Sequence, residues 1–304
     1  MKPFRDEKVL TAWNGLMLAA FAEAAAILDE PEYLEVARKN AEFLLREMVA
    51  IEENHPVGEA PTPLLRKEGS RAIRVLRTWK DGRAKLNGYI EDYANLADGL
   101  IELYQVSGEA KYLEAARELA DAMITEFWDA ENGGFFFTSN DHEELIVRNK
   151  DFFDNATPSG NSVAADVLLK LAKLYGGLDE GDAPEGTLPN GRVSARAYER
   201  FATTVLRLAA SQIRRFPSGF GRTLSAIEFR LADVKEFAIV DGAGSDVERE
   251  VWSEYRPFKV VAPGGDVPLL EGRSSVDGKP TVYVCENFVC QRPVTNVEDL
   301  RELL

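Results

Sequence analysis

The chain has 304 residues, 45% of them hydrophobic, enough for one large domain or two with a proper core. Against 36 lysines and arginines stand 51 aspartates and glutamates; the net charge of −15 repels phosphate backbones, no basic stripe offsets it, and nucleic acid is not an expected partner. No apolar run approaches ~20 residues, which argues against a membrane span, and the polar N-terminus and the two cysteines leave the cytoplasm as the expected compartment.

Val9 opens the first helix. Leu10, Trp13, Leu16, Met17, Ala20 and Ala24 recur at three- and four-residue steps, one face of a helix that runs to Leu28. Its many alanines suit an inner helix of a packed ring. Asp29-Glu30-Pro31 is the break, and a return helix runs from Tyr33 to Met48, with Pro31 in its first turn, where the missing N–H costs nothing. A long connection, 54–87, comes next. It turns basic through Arg66, Lys67, Arg71, Arg74, Arg77, Lys80, Arg83 and Lys85, and Ala72 to Trp79 reads as a strand. Two readings stand for it: a solvated strand pair, or a cationic lid that attracts an anionic ligand to the mouth of a helical array.

Gly88 to Phe137 is the unit around which the chain is organised. An apolar helix through Leu96, Leu100, Leu103 and Tyr104 breaks at Ser107-Gly108, a second runs from Tyr112 to Phe127, and Phe135-Phe136-Phe137 reads as a short aromatic strand. The unit repeats. Tyr33-Leu34-Glu35-Val36-Ala37-Arg38 returns as Tyr112-Leu113-Glu114-Ala115-Ala116-Arg117, and a looser copy pairs a helix from Asn161 to Tyr175 with one from Val193 to Arg215. Repeated helix pairs mean an array in which each unit buries its apolar stripe against its neighbours. Leu145 to Arg148 reads as a strand partner for the aromatic one, Ser159 as a helix cap, and 176–192 as a surface linker. The periodicity changes after Arg230. Strands at Glu236 to Val240, Phe258 to Ala262 and Thr281 to Cys285, with helices at Ser245 to Tyr255 and Val297 to Leu304, predict an α/β appendage with at least one parallel pair. The boundary falls near Asp233, which gives a helical-hairpin domain over 1–232 and a small α/β subdomain over 233–304.

Four separated motifs are recognisable: Asp6 to Leu16 (DEKVLTAWNGL), Glu91-Asp92-Tyr93-Ala94, Pro158-Ser159-Gly160-Asn161-Ser162, and Thr281 to Cys290 (TVYVCENFVC). In this order they resemble the C-terminal region of the YyaL family, the thioredoxin-domain proteins that include the spermatogenesis-associated thioredoxin-like protein. The resemblance implies a mainly α fold: part of an (α/α)6 toroid, similar to N-acylglucosamine 2-epimerases and six-hairpin glycosidases. The family's thioredoxin-like domain and the first half of its toroid have no counterpart here. An arc so opened exposes apolar helix faces, and the expectation is a partner (the missing half-toroid, a second copy of the chain, or a thioredoxin-like domain) or a chain that is a fragment of a longer protein.

In such a toroid the cleft lies where the inner helices begin. The repeat places Trp13, Asn14, Asp92, Tyr93 and Asn161 there, with Asp154 just before the third helix. An aromatic ring beside Asn and Asp suits a small carbohydrate ligand, with a ring face for C–H groups and polar groups for hydroxyls. Asp92 and Asp154 are the candidate carboxylate pair for glycoside chemistry. The alternative makes Asp92 and Ser159 helix N-caps and Asp154 a loop brace. His55 and His142, the only histidines, both lie in loops, so an epimerase mechanism has little support. Cys285 and Cys290, spaced C-x4-C, fit neither a C-x-x-C motif nor a zinc site; they read as two reduced thiols bracing the appendage or as a redox-sensitive pair. No metal or cofactor is expected. Two functions remain open: a sugar-binding or sugar-converting toroid, and a non-catalytic helical scaffold for a protein partner.

Overall fold

The computed structural model describes residues 6–52, 72–142, 146–176 and 192–304. The helical part opens with β1 (Val9–Leu10) and α1 (Thr11–Ile27), then α2 (Pro31–Glu47). β2 (Val49–Glu52), β3 (Ala72–Lys80) and β4 (Arg83–Asn87) come next, then α3 (Ile90–Ser107), α4 (Ala110–Phe127), α5 (Gly160–Tyr175), α6 (Ala195–Ile213) and α7 (Gly221–Leu231). The appendage comprises β5 (Lys235–Val240), α8 (Asp246–Trp252), β6 (Lys259–Ala262), β7 (Thr281–Glu286), β8 (Val289–Cys290) and α9 (Val297–Arg301).

The helices form two rows. α1 packs on α3, α3 on α5, and α5 on α7, while α2, α4 and α6 each back the helix that precedes them. This is an arc of three hairpins ending in a fourth inner helix, a mainly α architecture as the repeats and the resemblance implied. The inner row is tight because two glycines let backbones touch. A Cβ on Gly15 would stand 2.5 Å from the carbonyl carbon and oxygen of Asn95, and one on Gly99 would stand 2.7 Å from the Gly15 oxygen. α3 is buried nearly all round and stops at Gly108 in the left-handed region (φ 70°).

β3 is the centre of a small antiparallel sheet. β1 and β2 pair with it along different stretches, and β4 lies on it as a hairpin. The described part of the basic connection is therefore a strand pair. Arg74 pairs with Asp141 at 2.6 Å, and Arg77 with Glu91 and Asp92. Arg66, Lys67, Arg71 and His55 lie outside the described residues, as do Leu145 and nearly all of the surface linker.

The appendage sheet has the order β6-β5-β7-β8, with β5 and β6 parallel. One set of its side chains, including Ala238, Val260 and Ala262, joins the core of the arc. Phe237, Ile239, Val261, Val282 and Val284 form a second core with Val251 and Leu300. Cys285 and Cys290 face each other across β7 and β8 and are disulfide-bonded, so the expectation of two reduced thiols is corrected.

Two further expectations are corrected. Phe135 to Phe137 is not a strand: Phe135 makes a single bridge, to Trp128. The cause is the Asn161 side chain, whose amide accepts from the Phe135 N–H and donates to its C=O, both at 2.8 Å. That takes the only donor Phe135 could offer a strand partner and one of its two acceptor sites. The Phe137 N–H does reach Asn149 O, at 2.7 Å, which is what remains of the expected pairing. The second correction is α7, for which the sequence pattern gives no helix. It is short, and its opening Gly-Arg-Thr carries no apolar repeat.

Gly15→Ala is expected to cost about 1–3 kcal/mol in urea unfolding, because its methyl has only backbone to displace. Gly221→Ala, where a Cβ meets nothing within 4 Å, serves as the control and gains up to about 1 kcal/mol. Equal stability of the two variants would refute the backbone contact.

Candidate functional site

Each inner helix begins at the same end of the arc, where the sequence predicts a cleft. A new helix exposes N–H groups that need acceptors. α5 has its own: Ser159 Oγ accepts from the Ser162 N–H. α1 and α7 have no side-chain cap of their own. Their first turns are capped from elsewhere. Asp92 Oδ1 of α3 accepts the Ala12 N–H of α1 at 3.0 Å, and Asp154 Oδ2 accepts the Arg222 N–H of α7 at 2.8 Å.

These bonds use up the predicted catalytic carboxylates. Asp92 is 0% exposed. Its Oδ2 also accepts from the Tyr89 N–H at 2.9 Å and from Arg77 Nη1 at 2.9 Å. Burial pushes its carboxyl up to about 6, against the pull of Arg77 and of the two backbone N–H groups. Asp154 Oδ1 accepts from the Ser159 N–H and Ser162 Oγ, each at 2.8 Å. Each carboxylate thus holds the start of a helix other than its own: Asp92 is the third residue of α3, whose N-cap is Tyr89, and Asp154 does more than brace a loop; Asp92 opens on no cleft.

The predicted binding residues divide in the same way. Asn161 is fully buried and spends its amide on Phe135 and on Asp151 O. Tyr93 is buried, its hydroxyl accepts from the Val75 N–H at 3.0 Å, and its ring meets Phe127 edge-on. Asn14 donates to the O of Leu10, the residue just before α1, at 2.9 Å. Trp13 is 60% exposed. The structure does not bring Trp13 and Asp92 into one concavity. His142 stacks on Tyr89, with ring centroids 5.6 Å apart.

Further down the inner wall lies a polar group that the sequence pattern did not single out. Glu91, Asn95, Asp98, Glu102 and Gln105 recur along α3 at steps of three and four, one stripe on an otherwise apolar helix. Lys170 of α5 donates to Asp98 at 2.9 Å and to Glu102 at 2.6 Å, and lies 3.1 Å from Asp166. Arg222 of α7 reaches Asp98 at 2.8 Å and Asp166 at 2.5 Å. Glu102 also accepts from Gln105, whose own oxygen takes the Val261 N–H of β6 at 2.9 Å. Asn95, 1% exposed, has no partner for either side-chain atom among the described residues. The readable signal was the recurrence of acids at α3's helical step, matched by Asp166 and Lys170 on α5.

Three buried carboxylates thus share two cations. The excess negative charge is costly without water, and one proton removes it. Burial pushes Glu102 up to about 7, against Lys170, with Glu23 and Asp98 adding to the rise. Asp98 goes the other way: against burial, Arg222 and Lys170 hold it down to about 2. The arrangement can bind three helices together and can hold a proton near neutrality. Among the described residues, no group of His, Cys, Asp and Glu is placed to hold a metal ion, and no helix is long and apolar enough to cross a membrane.

No family model matches the chain. Human spermatogenesis-associated protein 20 is 30% identical over all of this chain and 37% of its own length. An uncharacterized protein of Caenorhabditis elegans is 26% identical over 99% of this chain and 38% of its own. The chain is therefore similar throughout to spermatogenesis-associated protein 20, as its motifs implied, and spans little more than a third of these relatives. A solved α-mannanase of family GH76 from Bacteroides thetaiotaomicron is 13% identical, covers 94% of this chain and 68% of its own, and superposes with a TM-score of 0.33, too low to speak for a shared activity.

The proton on Glu102 gives stability a pH signature. A carboxyl whose folded pKa is raised contributes fully below its unfolded value of 4.5, and that contribution is lost as pH climbs to about 7. Asp92 adds a loss between 3.8 and about 6, whereas Asp98, held down, loses its contribution only as pH falls from 3.8 to about 2. Urea unfolding between about pH 4.5 and 7.5 should show stability declining with pH, and Glu102→Gln should flatten the decline. Lys170→Met, which strands the carboxylates, is expected to cost about 3–5 kcal/mol. A wild-type curve that rises across that window would overturn the assignment.

Proposed function

We propose that this chain is a helical scaffold, an arc that works by receiving a further helical hairpin on the open flank of α1. The observation that carries the proposal is an apolar stripe that the described residues leave half or more exposed. Trp13 (60% exposed), Met17 (50%) and Ile27 (54%) lie along one side of α1, with Ala20 exposed between them. Tyr33 and Val36 of α2 extend the patch to the outer row. α1 meets α3 on its opposite side through Gly15, Leu18 and Ala22, so the stripe lies where a preceding inner helix of the same array would pack. A contiguous apolar patch of this kind marks an interaction site. The occupant we infer is a hairpin of the same make, and the longer relatives have the length to supply one.

A second reading keeps the carbohydrate-related cleft but moves it off the helix starts to the α3 stripe. Its support is the Asn95 amide, buried without a partner among the described residues and on the same stripe as Asp98 and Glu102. A closed ring would set that wall around a lumen, where a polyhydroxylated ligand finds amide and carboxylate partners together.

Light scattering coupled to size exclusion tests the scaffold. A particle heavier than the 33.7 kDa chain, or a monomer that gains mass when a polypeptide carrying the rest of a longer relative is added, supports it. Met17→Glu should abolish that association without loss of fold. A monomer indifferent to the added polypeptide would sink the proposal. Calorimetry with neutral hexoses on the assembled form tests the cleft: binding lost in Asn95→Leu supports it, and no binding ends it.

A further inference from the structure

Besides the sheet face that joins the core, the appendage holds the arc through the tip of one hairpin. β7 and β8 are joined by Asn287 and Phe288, and both have positive φ, 49° and 64°. Two-residue hairpin turns favour this conformation because it matches strand twist. Asparagine tolerates it, but a phenylalanine there is an outlier that asks for a reason. Phe288 has one. Its ring lies so close to Gly176 that a Cβ there would stand 2.8 Å from Cε2. Its N–H donates to Glu236 Oε2 at 2.7 Å. Glu236 is fully buried, and Lys173 of α5 bridges from its Oε1 (3.3 Å) to Asn287 Oδ1 (2.9 Å). The turn is thus a clasp between the sheet and the end of α5.

What keeps the clasp in shape is short. β8 has two residues, and the register sets Glu286 opposite Val289 and Cys285 opposite Cys290, where the disulfide closes the hairpin. The two sulfurs differ. Cys285 is buried, and Cys290 is half-buried. Arg273, from the loop before β7, places Nη2 2.8 Å from Cys290 Sγ and 3.8 Å from Cys285 Sγ. Its other nitrogen, Nη1, donates to Glu271 O at 3.2 Å. A guanidinium gains little from a neutral disulfide. Beside a thiolate it has a charge to stabilise, and a thiol so placed ionises below its ordinary range.

We infer that Cys285–Cys290 is a reversible thiol–disulfide latch on this clasp, with Cys290 as the sulfur attacked and Arg273 as the group that holds its thiolate. The reductant is a dithiol. One of its thiolates attacks Cys290 Sγ, the Cys285–Cys290 bond breaks, and Cys285 leaves as a thiolate that takes up a proton. The second thiol of the reductant, deprotonated, attacks the reductant's sulfur in the mixed disulfide and expels Cys290 as a thiolate beside Arg273. Two electrons pass to the cysteine pair, and the dithiol ends as a disulfide. The opened hairpin lets Phe288 relax to negative φ, and the bonds from the tip to Glu236 and Lys173 go with it. The latch therefore sets how firmly the sheet grips α5.

Graded dithiothreitol on the folded 304-residue chain, read by alkylation and mass spectrometry, is the first test. The pair should reduce without unfolding, and in the reduced protein Cys290 should alkylate about tenfold faster than Cys285, with a pH midpoint below the ordinary thiol value of about 8.5. Arg273→Gln should raise that midpoint and Arg273→Lys restore it, a response that a purely structural arginine would not give. Hydrogen exchange at the Phe288 and Gly176 amides should quicken on reduction while α3 stays protected. A disulfide that yields only when the whole chain unfolds, a midpoint unmoved by Arg273→Gln, or tip exchange indifferent to reduction would each overturn the latch.

Discussion

The arc rests on carboxylates that cap helices other than their own. Asp92 belongs to α3 and accepts the Ala12 N–H of α1. Asp154 precedes α5 and accepts the Arg222 N–H of α7. A cap of this kind does two things at once: it satisfies a donor that would otherwise be buried without a partner, and it fixes the height of one inner helix against the next. An acid at a helix start also meets the positive end of the helix dipole, so each bond is favoured electrostatically as well as geometrically. The glycines below complete the arrangement. Gly15 and Gly99 set how close α1 and α3 lie, Asp92 sets their stagger, and the α3 stripe, with Lys170 and Arg222, ties three inner helices together at mid-height.

This division explains what the sequence could and could not show. Helices with long apolar repeats were legible because burial on one face imposes the period, and α1 to α6 fall close to their expected limits. The parallel pair in the appendage was legible from the order strand, helix, strand. What failed depended on partners remote in the chain. Phe135 to Phe137 has the composition of a strand, but Asn161 takes the very groups a strand would share. Asp92 and Asn161 lie at helix starts, and Asp154 ahead of one, as the repeat has them, because residue type and repeat position are local facts. Which N–H each one meets is not local, and that decides between a cap and a ligand group. The ion cluster was hidden differently. Acids at helical steps usually mark a solvated face, and it is the packing of α5 on α3, with Arg222 reaching across from α7, that makes this stripe an interior one.

The buried charges also define what kind of interior this is. An apolar replacement of the whole set would hold three helices at lower desolvation cost, since buried ion pairs seldom beat well-packed hydrocarbon. Kept as it is, the set fixes register: Asp98, Asp166 and Arg222 meet only when α3, α5 and α7 stand at one relative height. The surplus carboxylate gives the same network a proton to hold, and Gln105 ties Glu102 to the Val261 N–H at the edge of the appendage sheet.

Capping from a distance has a further consequence, for the order in which the molecule can be made. The Ala12 N–H and its acceptor are 80 residues apart. During synthesis α1 and α2 emerge well before Asp92 exists, with the α1 start uncapped and Gly15 facing no backbone. Contacts of such separation form late, after the intervening loop has closed. The first hairpin is therefore finished by the second, and a nascent chain stalled short of Gly88 would hold helices in sequence but no arc.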